Sequence, residues 1–474
     1  YHAINLNIWM TRKTKIIATV GPSVNSKDGI KKLVEAGADV LRLNFSHGTE
    51  EDHSNVVKWI RELEKSVAIM QDIQGPKIRT GEAKESTQFK QSHEIKITNK
   101  ETISDDNVIY INYKDLFKDL NSGERIFIDD GQIVIRIIKK TKSSMLGQIE
   151  IGGELRSNQG VAFPDSKLSV SAITEKDIAD LKFGNKLDVD IVAVSFVRDA
   201  NDIKKVREIV DKNIKIIAKI ELKNAVKNLD SIIDEADGVM VARGDLGVQL
   251  DLEKVPFIQK QILNEANAKG KITVTATEML QSMKESHRPT RAEVTDITNA
   301  ILEGTDCVML SAETAIGNHP EVVVSAMSDI CKEADSRNDT SVLRFKETST
   351  VDTLTTSLAK AAVQVANEIE AKAIVAFTET GRTPLLISNY RPEAPIFTMT
   401  TIDKTYNQMN ILWGVQQIKI DRLETTPEMF EIADTWLQNN KKFKKNDKVV
   451  IVAGTPPNKE AATNLIRVMK IGEF

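Results

Sequence analysis

The chain has 474 residues, 41% apolar and 28% charged, with 64 basic against 68 acidic side chains and a formal net charge of -4. That length exceeds one compact core and calls for two to three domains of a soluble globular protein, and no apolar run approaches the roughly 20 residues that cross a bilayer. Near-balanced charge without a long basic block argues against a nucleic-acid or membrane-surface binder, and two cysteines, Cys307 and Cys331, in apolar patterns ask for no oxidising compartment, so a cytoplasmic location is expected.

Residues 1–9 lack the cationic start and cleavage site of a secretory signal, and 1–10 are expected to be an extension of no functional weight. From Lys15 onward, β-branched runs alternate with amphipathic helical patterns. Strands are expected at 16–20, 40–45, 67–72, 191–197, 214–220, 238–242, 272–276 and 307–311. Helices are expected at 28–36, 201–211, 225–235, 252–268, 291–303 and 321–334. Eight such units predict an α/β fold, a (β/α)8 TIM barrel, with chemistry at the C-terminal ends of its strands. Between strands three and four the rhythm changes for about ninety residues to period-two alternation at 93–98, 124–129, 133–140 and 146–152. This predicts an inserted all-β lid domain placed to exclude water. A polar stretch at 335–341 suits a linker, and the remainder alternates again as a C-terminal open α/β domain. The expected boundaries are 11–80 and 166–338 for the barrel, 81–165 for the lid and 339–474 for the last domain.

The stretch Ile217-Ala-Lys-Ile-Glu221 organises the functional reading. A strand repeats every two residues, so Lys219 and Glu221 point the same way. By themselves they read equally well as a strand-end ion pair or as part of a phosphate and metal site. Other strand ends add to them. Strand two delivers Arg42, Asn44, Ser46 and His47, and strand three delivers Asp72, Lys77 and Arg79. Strand six ends at Arg243-Gly-Asp245, strand seven at Thr277-Glu278 and strand eight at Ser311-Ala-Glu313. Glu221 and Asp245, on adjacent strands, suit one hard divalent cation such as Mg2+, and Arg42, Arg79 and Lys219 supply the positive charge that phosphoryl transfer needs.

With these residues in view the chain resembles pyruvate kinases over nearly its whole length after Met10. The match is carried by Ala18-Thr-Val-Gly-Pro-Ser23, Leu41-Arg-Leu-Asn-Phe-Ser-His-Gly48, Gly75-Pro-Lys-Ile-Arg-Thr-Gly81 and Ile217-Ala-Lys-Ile-Glu221. It continues in Met240-Val-Ala-Arg-Gly-Asp-Leu-Gly247, Ala276-Thr-Glu-Met-Leu280 and Arg288-Pro-Thr-Arg-Ala-Glu293. The resemblance implies transfer of the phosphoryl group of phosphoenolpyruvate to ADP, giving ATP and pyruvate, with Mg2+ or Mn2+. It implies that Lys219, Thr277 and Arg42 are catalytic and that Glu221 and Asp245 hold the metal. The backbone around Gly244 and Asp245 would receive the substrate carboxylate, and Arg42, Arg79 and His47 would meet the nucleotide. Arg288-Pro-Thr-Arg291 corresponds to a subunit interface, so a homotetramer is expected.

Departures from the family pattern are informative. Many relatives bind K+ through the residues matching Asn44, Ser46, Asp72 and the carbonyl of Ile73, and carry Glu where this chain has Lys77. Lys77 is therefore expected to replace K+, as in a K+-independent group of the family; the rival reading is a solvated surface lysine. Glu278 stands where Gln is usual, Asn158-Gln159 where lysines are common, so that nucleotide contacts there are expected either to be weaker or to come from Arg156, and Asp165 replaces a hinge Gly. The loop Thr378, Thr380, Gly381, Arg382 and Thr383 suits a phosphate, or else Thr383 simply caps a helix. A monophosphate effector such as AMP or a sugar phosphate, or none, is expected there. Two other functions share part of the pattern: a metal-dependent pyruvate or oxaloacetate aldolase or lyase, and a non-catalytic metabolite-binding regulator.

Overall fold

Runs such as Lys15-Ile-Ile-Ala-Thr-Val20 and Gly238-Val-Met-Val-Ala242 are apolar on both faces, which only a strand covered on both sides can satisfy. In the computed structural model, which describes residues 12–337, 353–457 and 462–474, eight of them form a closed parallel barrel. They are β1 (Lys15–Val20), β2 (Val40–Asn44), β3 (Ala68–Asp72), β4 (Ile191–Val194), β5 (Lys215–Ile220), β6 (Gly238–Ala242), β7 (Ile272–Ala276) and β8 (Cys307–Leu310). Each pairs with its sequence neighbours and β8 closes on β1. Both cysteines are free and buried.

A fourfold device sets the register at the N-terminal face of the barrel. Asp39, Asp190, Asp237 and Asp306 stand one residue before β2, β4, β6 and β8. Their Oδ2 atoms accept the backbone N–H of Ile16, Ile69, Ile216 and Thr273, the second residue of the preceding odd-numbered strand, at 2.8 to 2.9 Å. Each carboxylate also pairs with an arginine, Arg12, Arg61, Arg207 and Arg391 respectively, at 2.6 to 2.9 Å. A one-residue slip of any of these strand pairs would strand a charge as well as a ladder.

The C-terminal sheet holds β9 (Ala373–Phe377), β10 (Ile396–Thr400), β11 (Val415–Lys419), β12 (Lys448–Ala453) and β13 (Leu465–Lys470), in the order β11-β10-β9-β12-β13 with only β13 antiparallel. It seals the N-terminal face of the barrel. Barrel-interior residues such as Ile17, Met240 and Met309 share one apolar cluster with Ile411, Leu412 and Val415. Lys15, 1% exposed, donates to the Val415 carbonyl at 2.8 Å. Only the opposite face remains open for chemistry. Above it, between β3 and β4, lies a six-stranded sheet with its own core, of which Ile95, Ile97, Ile109, Ile126, Ile135 and Ile149 are part.

The differences from expectation are local. β4 ends at Val194 instead of running to 197 because Phe196 takes a left-handed backbone, φ 55°. The helix expected at 225–235 breaks at Asn228 into Lys223–Lys227 and Leu229–Glu235, and the one expected at 252–268 begins at Val255, ahead of Pro256. The expected linker begins too early. The helix Pro320–Arg337 continues through Asp335, whose carboxylate accepts the N–H of Lys13 and Thr14 at 2.6 and 2.8 Å, and the rest of the linker lies outside the described residues, as do residues 1–11. Strands β11 and β13 were not anticipated.

Candidate active site

Strand period places Lys219 and Glu221 on one side of the β5 exit, and their charged atoms stand 2.9 Å apart. The ammonium also meets Asp72 Oδ1 at 3.3 Å and Ser195 Oγ at 2.7 Å. Asp72, at the end of β3, is 1% exposed, and its Oδ2 accepts from Arg42 Nε at 2.6 Å. Arg42 Nη1 reaches Thr19 Oγ1 at 3.0 Å. Burial would push the Asp72 carboxyl up, but Arg42 and Lys219 outweigh it and hold the group below the usual carboxylate range. The Lys219 ammonium is likewise pulled down by burial and carried well above an ordinary lysine by Asp72 and Glu221. Both stay charged at neutral pH.

Glu221 behaves oppositely. It is 1% exposed, and burial together with the nearby Asp245 pushes its pKa up to about 7, against the pull of Lys219. Its second oxygen accepts the N–H of Phe196 at 2.7 Å. Asp245 comes from the first turn of the helix Arg243–Gln249 and lines the same cavity as Glu221, about 590 Å3 in volume. Lys77 and Arg79 line it from the loop after β3, and Asp129 and Asp130 from the lid. A buried carboxylate under-compensated by protein and facing a second carboxylate is a donor set that suits a hard cation. Among the described residues no group of three or more His, Cys, Asp or Glu side chains forms a full cage. Two carboxylates leave the rest of the shell to water and substrate oxygens, as Mg2+ prefers.

The remaining rim residues fall around this pair. The Gly244 N–H donates to Thr277 Oγ1 at 2.8 Å, so the hydroxyl already touches the helix start, and Thr277 itself sits at φ 69°. Arg79 Nη1 donates to the carbonyl of Asn158 at 2.7 Å, tying the rim to the lid. His47 is exposed; burial of its ring, then Lys77, Arg79 and Arg42, lower its pKa. Asn44 Oδ1 accepts the N–H of Ser46 at 3.1 Å, and the Ile73 carbonyl accepts from Ser195 Oγ at 2.7 Å. The Lys77 side chain is exposed at the cavity mouth and its ammonium has no hydrogen-bond or ion-pair partner among the described residues. Partial burial and Arg79 lower its pKa, opposed by Asp245. Arg156 Nη2 pairs with Asp129 at 3.0 Å.

Sequence reasoning missed Ser195, Phe196, Asp129 and Asp130. The first two were absorbed into an over-long strand four. Asp129 and Asp130 were concealed in a turn, where both take left-handed backbones.

At the far end of the chain, Thr378 Oγ1 accepts the N–H of Gly381, φ 79°, at 3.0 Å, and the helix Arg382–Asn389 starts there. Thr378, Thr380, Arg382 and Thr383 line a cavity of about 330 Å3. Thr383 does not cap the helix; its hydroxyl meets that of Thr463 at 2.7 Å.

Residues 11–324 match the family model for the pyruvate kinase barrel domain and residues 356–469 that for the pyruvate kinase alpha/beta domain. The chain belongs to the pyruvate kinase family. It is similar to pyruvate kinase of Geobacillus stearothermophilus, 39% identical over 98% of this chain and 81% of that protein. Similarity to pyruvate kinase of Corynebacterium efficiens is 39% over 98% and 99% of the two chains, and to that of Staphylococcus aureus strain MRSA252 38% over 98% and 81%. It is thus a phosphotransferase of glycolysis, acting on phosphoenolpyruvate and ADP to give pyruvate and ATP. Nothing in the comparisons favours the aldolase or the regulator. Among the described residues no helix is long and apolar enough to cross a membrane.

Proposed function

We propose that this pyruvate kinase works from the β5 exit, with Lys219 as the cation that meets the transferring phosphoryl group. The observation that carries the reading is the Lys219 ammonium held between two buried carboxylates, Asp72 and Glu221, beside a cavity that Asp245 also lines. Arg42, steadied by Asp72, grips the phosphate, and Arg79 and His47 serve the nucleotide. Thr277 and the amides at Gly244 and Asp245 receive the substrate carboxylate, with Thr277 placed to take part in protonating the enolate. Glu221 and Asp245 would hold Mg2+, or Mn2+ in its place, which when bound would supply charge to offset that of the substrate's anionic oxygens. Closure of the lid excludes water from the cleft.

Lys77 takes the place of K+. In support, its ammonium lies free at the mouth of the cavity, electrostatically coupled to Arg79, Asp245 and Lys219. The loop from Thr378 to Thr383 receives a monophosphate effector, AMP or a sugar phosphate, which its hydroxyl-rich cavity suits, and the chain assembles as a cytoplasmic homotetramer through the Arg288-Pro-Thr-Arg291 region. The deciding experiment is pyruvate formation from phosphoenolpyruvate and ADP with Mg2+, in K+-free buffer and with K+ added. Activity in both is expected; activity only with K+ removes the role given to Lys77, and none in either removes the active-site reading.

A further inference from the structure

The Lys219 ammonium has three protons and three protein acceptors: Asp72 Oδ1 at 3.3 Å, Glu221 Oε1 at 2.9 Å and Ser195 Oγ at 2.7 Å. An ammonium cannot accept, so the Ser195 hydroxyl accepts a hydrogen bond from Lys219 and donates its own hydrogen elsewhere, to the Ile73 carbonyl at 2.7 Å in preference to Asp72 Oδ1 at 3.3 Å. Ser195 is 3% exposed, and both of its hydrogen-bonding roles are spent inside the site. The next residue completes the arrangement. Phe196, at φ 55°, turns its N–H onto Glu221 Oε2 at 2.7 Å. The left-handed backbone costs energy in a residue with a bulky side chain, and it places two consecutive residues of the β4 exit on the two working side chains of the β5 exit. Gly75 makes room for this turn, since a Cβ there would lie 2.7 Å from the Phe196 ring.

We propose that Ser195 is a positioning residue for phosphoryl transfer, a neutral acceptor that aims the Lys219 ammonium without cancelling its charge. Asp72 and Glu221 also hold the ammonium, but each offsets its positive charge, and Glu221 is shared with the divalent cation when substrate is bound. A hydroxyl fixes direction and leaves the charge for the phosphoryl oxygens. Its own orientation is set by the Ile73 carbonyl just past β3, with Asp72 Oδ1 at the strand end 3.3 Å away, so the exits of β3, β4 and β5 together aim one nitrogen. The competing explanation is a buried serine that merely satisfies a carbonyl.

The proposal rests on the phosphoryl-transfer reading, and the experiment separates the two: turnover by the unmodified enzyme tests that reading, and the variants test Ser195. Ser195→Ala should still fold, with a somewhat lower melting temperature because the Ile73 carbonyl loses its donor, and lower kcat by about 10–100-fold with little change in KM for phosphoenolpyruvate, the size expected for losing a hydrogen bond to a charged group. Ser195→Thr, which keeps the hydroxyl, should recover most of kcat. In a Lys219→Gln background, Ser195→Ala should leave phosphoenolpyruvate affinity, read by titration calorimetry with Mn2+ present, where it was. Retention of more than half of kcat by Ser195→Ala, or equal loss in Ser195→Thr, would overturn the proposal. So would a further loss of affinity in the Lys219→Gln background, since Ser195 would then act on something other than Lys219.

Discussion

Asp306 and Arg391 form an ion pair at 2.7 Å with side chains 3% and 1% exposed, joining the base of β8 to the C-terminal domain. The Asp306 carboxylate also accepts the Thr273 N–H at 2.8 Å, and Arg391 stacks on Trp413 with its guanidinium 4.6 Å from the ring centre. Removing one member of so buried a pair leaves the other charge without compensation. Asp306→Ala should cost about 3–5 kcal/mol in urea unfolding. A loss under about 1 kcal/mol would mean that water or a neighbour replaces the carboxylate.

The barrel was legible because its signal is redundant: eight runs apolar on both faces leave few alternatives. The fourfold aspartate device was in plain sight, one Asp before every even-numbered strand, yet it was not legible because half of its partners are backbone amides with no sequence signature and its arginines come from positions with no common spacing to the aspartates. The site was legible where chemistry demands a charged residue at a strand end, as with Lys219, Glu221 and Arg42. Ser195 and Phe196 were hidden because their contribution lies in a hydroxyl and an amide, and it depends on a left-handed turn that neither residue type predicts. Strands β11 and β13 were missed at the edges of a sheet, where alternation is weak.

If Glu221 holds the divalent cation as proposed, metal binding should depend on pH. The Glu221 pKa in the folded protein is raised to about 7, from an ordinary value of 4.5, by burial and Asp245. A cation must displace the proton below that point, so Mn2+ affinity should fall by ~10-fold per pH unit as pH drops below about 7, read by the spin-resonance signal of free Mn2+. Stability of the metal-free protein has the opposite slope. Between the two pKa values the folded chain binds more protons at this group than the unfolded chain, so this contribution falls as pH rises from 4.5 to about 7 and is level outside that window. Glu221→Gln should remove both slopes and cost ~100-fold or more in kcat. An Mn2+ affinity level from about pH 6 to about pH 8, one unit either side of the raised value, would place the titration elsewhere.

Lys77 and the monovalent ion exchange roles in a direct test. Lys77→Glu replaces an unpaired ammonium beside Asp245 and Asp130 with a third carboxylate, so the site acquires a negative charge that needs a counter-ion. Without K+ the variant should lose about 10–100-fold in kcat/KM, and added K+ should restore most of it while leaving the parent enzyme unchanged. Full activity of the variant in K+-free buffer would show that Lys77 is a bystander at the cavity mouth.

The lid is held to its own exit segment by Arg125 and Asp165. Arg125 Nε and Nη2 meet the two Asp165 oxygens at 2.9 and 3.0 Å, and the Arg125 N–H adds a third bond at 3.1 Å. Arg125 opens the lid strand Arg125–Ile128, while Asp165 follows Pro164 on the path back to the barrel, so the pair ties the lid sheet to its exit segment. Both side chains are about one-third exposed, which limits what the pair contributes, and Asp165→Gly should shift the balance between open and closed lid by only about 2–5-fold. If, as proposed, the lid closes over bound nucleotide and opens to release product, the expected pattern is a KM for ADP raised by that factor with kcat unchanged or higher. Amide exchange around residues 160–168 should quicken in the same variant. If KM and exchange both stay at their original values, the hinge is set by the packing of Phe163 in the lid core and not by the ion pair.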